Sequence, residues 1–276
     1  MSRTFLITGA SSGFGRAIAV AALAAGHRVV GTVRRQEDAR AFAALSPERA
    51  AAILLDVAEF DRVGRVIADA IEAFGPVDVL VNSAGYGHEG ILEESPLDEM
   101  RRQLDVNLFG AVAVTQAVLP HMRARRRGHI INITSMAGQL GLPGIAYYTA
   151  SKYALEGLSE VLAQEVAPLG IKVTALAPGS FRTDWAGRSM IRSPRGIADY
   201  DELFEPIRKA RQEKSGRQKG DPDRAAKVVL DLAEMTDPPV HLVIGSDALG
   251  LVRQSLEARL GDLRRWEAVS RSTDFV

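Results

Sequence analysis

The sequence predicts an α/β fold: a doubly wound, seven-stranded parallel sheet with helices on both faces, formed as a single domain. Three observations predict it. Seven short runs are almost continuously apolar, as strands covered on both faces must be. The segments between them carry helical periodicity. No linker, repeat or low-complexity tract divides the 276 residues.

The strands fall at 4–8, 28–33, 53–56, 77–82, 129–134, 171–176 and 240–244. Between the third and fourth, Val63, Val66, Ile67, Ala70, Ile71 and Phe74 draw one stripe along a helix over 59–74. Gly75-Pro76 stops it, since proline cannot continue a helix. A long helix is predicted over 97–122 and another over 147–167. Asp221-Pro222 opens a helix over 221–234, a capping residue followed by proline in the first turn. The alternation breaks only at 182–220, a polar stretch with Gly187, Pro194, Gly196 and Gly216. It reads as a lid over the carboxyl edge of the sheet, with a helix near 201–214. A further helix over 249–266 begins a C-terminal extension, 249–276.

Lys+Arg and Asp+Glu are both 34, so the chain lacks the basic excess that nucleic-acid binding uses. It has no Cys, which removes disulfides, thiol nucleophiles and cysteine zinc sites together. Its five His and its carboxylates show no metal-ligand spacing, so no metal is expected. The longest apolar stretch, 17–26, is about half the ~20 residues of a membrane span. The apolar run at 4–8 is too short for a signal peptide, and a cytoplasmic location is expected.

The first strand runs into Gly9-Ala10-Ser11-Ser12-Gly13-Phe14-Gly15, which opens a helix. Glycines allow the sharp turn and the close approach of a ligand. Free N–H groups at the helix start then face a phosphate. The G-x-x-x-G-x-G spacing is neither G-x-G-x-x-G nor a Walker loop. At the end of the second strand, an acid would bind a ribose 2′-hydroxyl. This chain has Val33 there with Arg34 beside it, and a guanidinium pairs bidentately with a 2′-phosphate. NADP(H) is therefore the expected cofactor, with NAD(H) also usable. Arg34 and Arg35 as plain solvated charges are the competing reading.

Farther along stand Asn82-Ser83-Ala84-Gly85, Asn107, Ser135 and Tyr148-Thr149-Ala150-Ser151-Lys152. Together with the glycine loop, this set resembles the single-domain branch of the short-chain dehydrogenase/reductase family. The resemblance extends over residues 4–244. It implies a Rossmann-type sheet and an oxidoreductase that interconverts a ketone or aldehyde and an alcohol. Steroid-dehydrogenase-like and ketoreductase-like members fit alike. By resemblance, Tyr148 is the acid/base, Lys152 lowers its pKa and holds the nicotinamide ribose, and Ser135 stabilises the developing alkoxide. Asn107 would bind a water relaying protons to Lys152. Asp56 and Val57 resemble the adenine contact, and Asn82, Ala84 and Gly85 the segment beside the adenosine ribose. Pro178, Gly179 and Thr183 resemble the loop anchoring the carboxamide, with Phe181 placed against the ring. Ser83 stands where the family commonly has a second Asn.

A homodimer or homotetramer is also implied, through the helix carrying Tyr148. Ala154, Leu155, Leu158, Val161, Leu162 and Val166 offer apolar surface for that contact or for the sheet. The main rival is a non-catalytic NAD(P)-binding sensor on the same fold. It leaves the joint presence of Asn107, Ser135, Tyr148 and Lys152 unexplained. An extended-branch isomerase or epimerase would need a different glycine loop and a longer substrate domain.

Other residues read first as structure. His88 reads as a solvated loop histidine before a substrate contact. The basic run 123–127, between His121 and His129, reads as a charged helix end. Trp185, Met190 and Ile191 read equally as pocket wall or lid packing. Tyr147 has Ser151, not Lys, four residues on and cannot replace Tyr148.

Overall fold

The computed structural model describes residues 2–275. In chain order the elements are β1 (Thr4–Ile7), α1 (Gly13–Ala24), β2 (Arg28–Val33), α2 (Gln36–Ala43), β3 (Ala50–Leu54), α3 (Phe60–Phe74) and β4 (Val79–Asn82). Then come β5 (Gly87–Glu89), α4 (Leu97–Leu104), α5 (Gly110–Arg125), β6 (Gly128–Ile133), α6 (Ala146–Val166) and β7 (Ile171–Pro178). The chain continues through β8 (Met190–Arg192), α7 (Asp201–Glu213), α8 (Pro222–Glu234), β9 (His241–Ile244), α9 (Ser246–Arg265) and α10 (Glu267–Arg271).

Seven strands form one parallel sheet in the order β3-β2-β1-β4-β6-β7-β9. The chain winds outward from β1 in one direction, then returns and winds in the other from β4. The crevice where the order reverses, at the carboxyl ends of β1 and β4, is where such sheets bind ligands.

Alternation along each strand fills both faces. Phe5, Ile7, Val79, Val81 and Ile131 point to the side covered by α1 and α8, where they meet Ile18, Ala22, Val229 and Leu232. Leu6, Leu80 and Ile130 point to the side covered by α3 and α5, where they meet Val63, Ile67, Val114 and Val118. Gly31 in β2 makes room on the first side. A Cβ there would stand 2.6 Å from the Phe42 ring and 2.8 Å from Ala10. Asp221 caps α8 as its sequence suggests, accepting from the N–H groups of Asp223 and Arg224.

The structure moves several boundaries. The third strand is Ala50–Leu54 rather than 53–56, because three alanines pair with β2 without raising the apolar pattern. The fourth starts at Val79, since Asp78 directs its carboxylate to Thr4, Arg125 and Arg127. The basic run therefore acts through this pairing as well as at the helix end, where Arg126 takes a left-handed φ of 51°. The helix 97–122 continues to Arg125 but contains a π turn at Asp105–Phe109. The short polar helix α2 was not foreseen.

The lid is more ordered than its polar sequence suggests. β8 pairs in parallel with β5, which makes a second, two-stranded sheet. His88 is accordingly buried, not solvated: it lies at the base of this sheet, 2.9 Å from Ser193 Oγ and stacked on Tyr147. Buried Glu89 pairs with Arg192 and Arg211, and Arg195 ties Glu94 to Asp201 and Glu205. On α6, Val166 and Leu162 pack with the α3–α5 side of the sheet and Leu155 is buried, leaving Val161 exposed. Among the described residues no helix is long and apolar enough to cross a membrane.

His129 lies inside the sheet. The Thr174 hydroxyl donates to the Pro239 carbonyl and so accepts from His129 Nε2 at 3.0 Å. Burial pulls the imidazole down to about 4. Unfolded, it would titrate near 6.5. The unfolded state therefore binds the extra proton between these values, and stability falls as pH drops from about 6.5 to 4, by up to about 3 kcal/mol. Thermal melts over this window are expected to show the loss, and His129→Gln should flatten it.

Candidate active site

A cleft of about 1110 Å³ opens over the carboxyl edge, running from Arg34 and Asp56 past the glycine loop to Ser135, Tyr148 and the lid. Its floor depends on two chain exits lying close together. Thr8 Oγ1 accepts from the N–H groups of Ser83 and Ala84, both at 3.0 Å. Gly9, at φ +68°, would drive a Cβ to 2.8 Å from Ala84 Cα. Gly13, at φ +55°, faces open space with only Thr183 near. The Ser12 side chain makes no cap to α1, so the first-turn N–H groups stay available. This cradle fits a dinucleotide diphosphate.

Ser11, Ser12, Phe14, Ala84, Gly85, Pro178, Gly179, Phe181 and Thr183 lie on the cleft wall, and Phe14 packs on Phe181 with ring centroids 5.2 Å apart. Two expected cofactor contacts are placed elsewhere. Gly15 faces the loop: a Cβ there would sit 2.5 Å from Gly9 O, so it serves helix–strand packing. Asn82 turns inward, donating to Thr115 Oγ1 and Asn132 Oδ1. Asn132 in turn donates to Ser159 Oγ, and this buried network ties β4 and β6 to α5 and α6.

At the far end, the two adjacent arginines differ. Arg35 is held by Glu37 and Asp38. Arg34 is exposed, with Asp56 Oδ2 no nearer than 3.9 Å. Asp56 Oδ1 accepts from Ala58 N, and Val57 lies on the wall beside it. Asp38 also lines this end.

Ser135, Tyr148 and Lys152 converge at the other end, all buried. Ser135 Oγ accepts from Ala137 N at 3.1 Å, which leaves its own hydrogen to donate. Lys152 donates to Ile133 O at 2.8 Å, and its Nζ lies 5.7 Å from the Tyr148 ring centroid. Asn107 sits in the π turn, behind the wall. Its Oδ1 accepts from Tyr86 N, and its amide donates to Tyr86 O and Ser151 Oγ. Such turns recur at functional sites.

Burial pushes the Tyr148 phenol up to about 12, with the Ser135 hydroxyl opposing. The lowering expected from Lys152 does not prevail. Burial also pulls the Lys152 ammonium down to about 8, with Glu156 opposing. Glu156 accepts from Thr134 and from His241 Nδ1, the latter at 2.8 Å. Among the described residues no three His, Asp or Glu could hold a metal ion.

Two further residues belong to the site: Trp185, which the sequence left open between pocket wall and lid packing, and Asp247, which it did not single out. Trp185 packs on Tyr148 with ring centroids 5.0 Å apart. Asp247, in the first turn of α9, braces the loop after β7. Its Oδ2 accepts from Ser180 N, and a Cβ on Gly179 would meet its Oδ1 at 2.4 Å. The Gly-Ser-Asp after the last strand was the available hint.

A family model described as short chain dehydrogenase matches residues 3–191. A solved short-chain dehydrogenase from Streptomyces avermitilis is 43% identical, each chain wholly covered, with a TM-score of 0.92. ElxO, solved with NADP bound, is 28% identical over 91% of this chain and 100% of its own, TM-score 0.76. A short-chain dehydrogenase/reductase from Burkholderia phymatum, solved with NAD, is 27% identical over 94% and 95%, TM-score 0.79. The chain belongs to the short-chain dehydrogenase/reductase family and is an NAD(P)-dependent oxidoreductase.

Replacing Asp247 with Ala leaves the Ser180 N–H without its acceptor, at a cost of roughly 1–3 kcal/mol. The melting temperature should fall, and titration should show weaker binding of the whole dinucleotide than of adenosine nucleotides alone.

Proposed function

We propose that this protein interconverts a ketone or aldehyde and the corresponding alcohol with NADP(H), and accepts NAD(H) less well. The observation that carries the reading is the convergence of Ser135, Tyr148 and Lys152 on one wall, with the glycine cradle in the same cleft. The nicotinamide, when bound, supplies or accepts the hydride.

The protein's own groups manage the proton. In reduction, Ser135 donates a hydrogen bond to the carbonyl oxygen, and Tyr148 gives that oxygen its proton. A phenol held protonated by burial suits that role. Charged Lys152 then stabilises the phenolate left behind. Reprotonation follows from the Asn107 side: Asn107 Oδ1 and Lys152 Nζ face the same side of Gly85, 3.1 and 3.8 Å from where a Cβ would stand, and a relay water would have to lie between them and solvent. In oxidation the steps reverse. Asp56, Val57 and Arg34 hold the adenosine end, with Arg34 free to pair with a 2′-phosphate.

Residues 182–220 act as the substrate lid, presenting Trp185 and Ile191. The chain forms a homodimer or homotetramer using exposed Val161, a state that sedimentation measures directly.

The first test runs a panel of ketones and aldehydes with NADPH and NADH in parallel. Turnover favouring NADPH is expected, and Arg34→Ala should erase roughly 10- to 100-fold of the preference. Tyr148→Phe should lower kcat by about 10²–10⁴-fold while leaving cofactor affinity intact. A sensor would lose little. Reduction should hold steady at neutral pH and decline as pH rises through about 8, where Lys152 loses its charge.

A further inference from the structure

The segment 182–220 brings the Arg188 guanidinium into the cleft. Arg188 lines the same cavity as Arg34, Arg35, Asp38 and Asp56. The Asp38 carboxyl is held below its usual range first by its hydrogen bonds to Arg35, and also by the nearby charges of Arg188 and Arg34. Only Arg35 bonds this carboxylate directly, while Arg188 and Arg34 act on it through their charge. The three guanidiniums are not equally available. Arg35 is held by two acids. Arg188 has one partner, Asp184, four residues away at 2.8 Å, and its side chain is 65% exposed. An exposed pair of this kind is weak and exchanges cheaply for a better anion.

Charge balance explains why a second arginine is needed. Asp38 and Asp56 share this end with Arg34, and their charges oppose a phosphate. One guanidinium 3.9 Å from Asp56 offsets this only in part. Two guanidiniums from opposite walls could grip a phosphate monoester dianion, each by paired N–H donors.

We infer that Arg188 of the lid and Arg34 of the β2 end together form a two-walled site for the 2′-phosphate of NADP(H). The inference rests on the NADP(H) reading above and adds a residue to it. It also joins the two ends of the cleft. Only two residues separate Arg188 from Trp185, whose ring packs on Tyr148. A phosphate gripped by Arg188 thus fixes the segment that walls the reacting group.

Calorimetric titration with 2′,5′-ADP and with 5′-AMP tests it without turnover. Arg188→Gln should weaken 2′,5′-ADP roughly 10- to 100-fold and 5′-AMP less than about twofold, with Arg188→Lys between. Melting curves check that each variant folds. Equal weakening of both ligands would place Arg188 on the shared 5′-phosphate and overturn the inference, as would no change in either. If Arg34→Gln removes the preference for 2′,5′-ADP and Arg188→Gln keeps it, only this inference fails. If the unaltered protein shows no such preference, the NADP(H) reading fails with it.

Discussion

The contact between the exits of β1 and β4 is the constraint on which the cleft depends. Thr8 holds two N–H groups of the β4 exit with one hydroxyl oxygen, and Gly9 has no side chain to keep the two backbones apart. A side chain at position 9 would push Ala84 outward, and Gly85 and Tyr86 with it. Tyr86 is the residue that Asn107 grips by both backbone groups. The diphosphate cradle and the support behind Lys152 are therefore set by one backbone approach.

Beneath Ser135, Tyr148 and Lys152 the protein is polar rather than oily. Asn82, Asn132 and Ser159 form a buried hydrogen-bonded line between sheet and helix, and Thr134, Glu156 and His241 form a second. Such networks fix geometry tightly when their members find partners. They hold α6 in one register on the sheet, so Tyr148 and Lys152 arrive together on the cleft wall. The nearby Glu156 charge opposes the pull of burial on the Lys152 ammonium.

Much of this was legible in the sequence. Buried parallel strands announce themselves as apolar runs, and all seven sheet strands lie within three residues of their expected positions. The glycine loop and the Tyr148–Lys152 spacing are local patterns, so they could be read without a fold. What escaped reading depends on distant partners. Nothing local distinguishes Asn82, which points into the protein, from Ala84, which faces the cleft. His88 looked solvated because its cover, Ser193 and Tyr147, comes from far along the chain. Ala50 to Ala52 became strand only because β2 was there to pair with them.

The π turn in the long helix has a consequence for how that helix keeps its phase. Buried Glu99, Gln103, Asn107 and Ala111 recur every four residues. In an ideal helix a four-residue step overshoots one turn by about 40°, so this row would spiral off the protein within a few steps. The wide turn at 105–109 absorbs the surplus. It therefore works as a vernier between two faces: α4 turns Glu99 and Gln103 to Tyr86, while α5 lays Val114 and Val118 on the sheet. Excising a single residue there would rotate one half against the other by about 100°. The extra residue is the phase correction that lets one continuous helix serve both the core and the Tyr86 segment of the cleft wall.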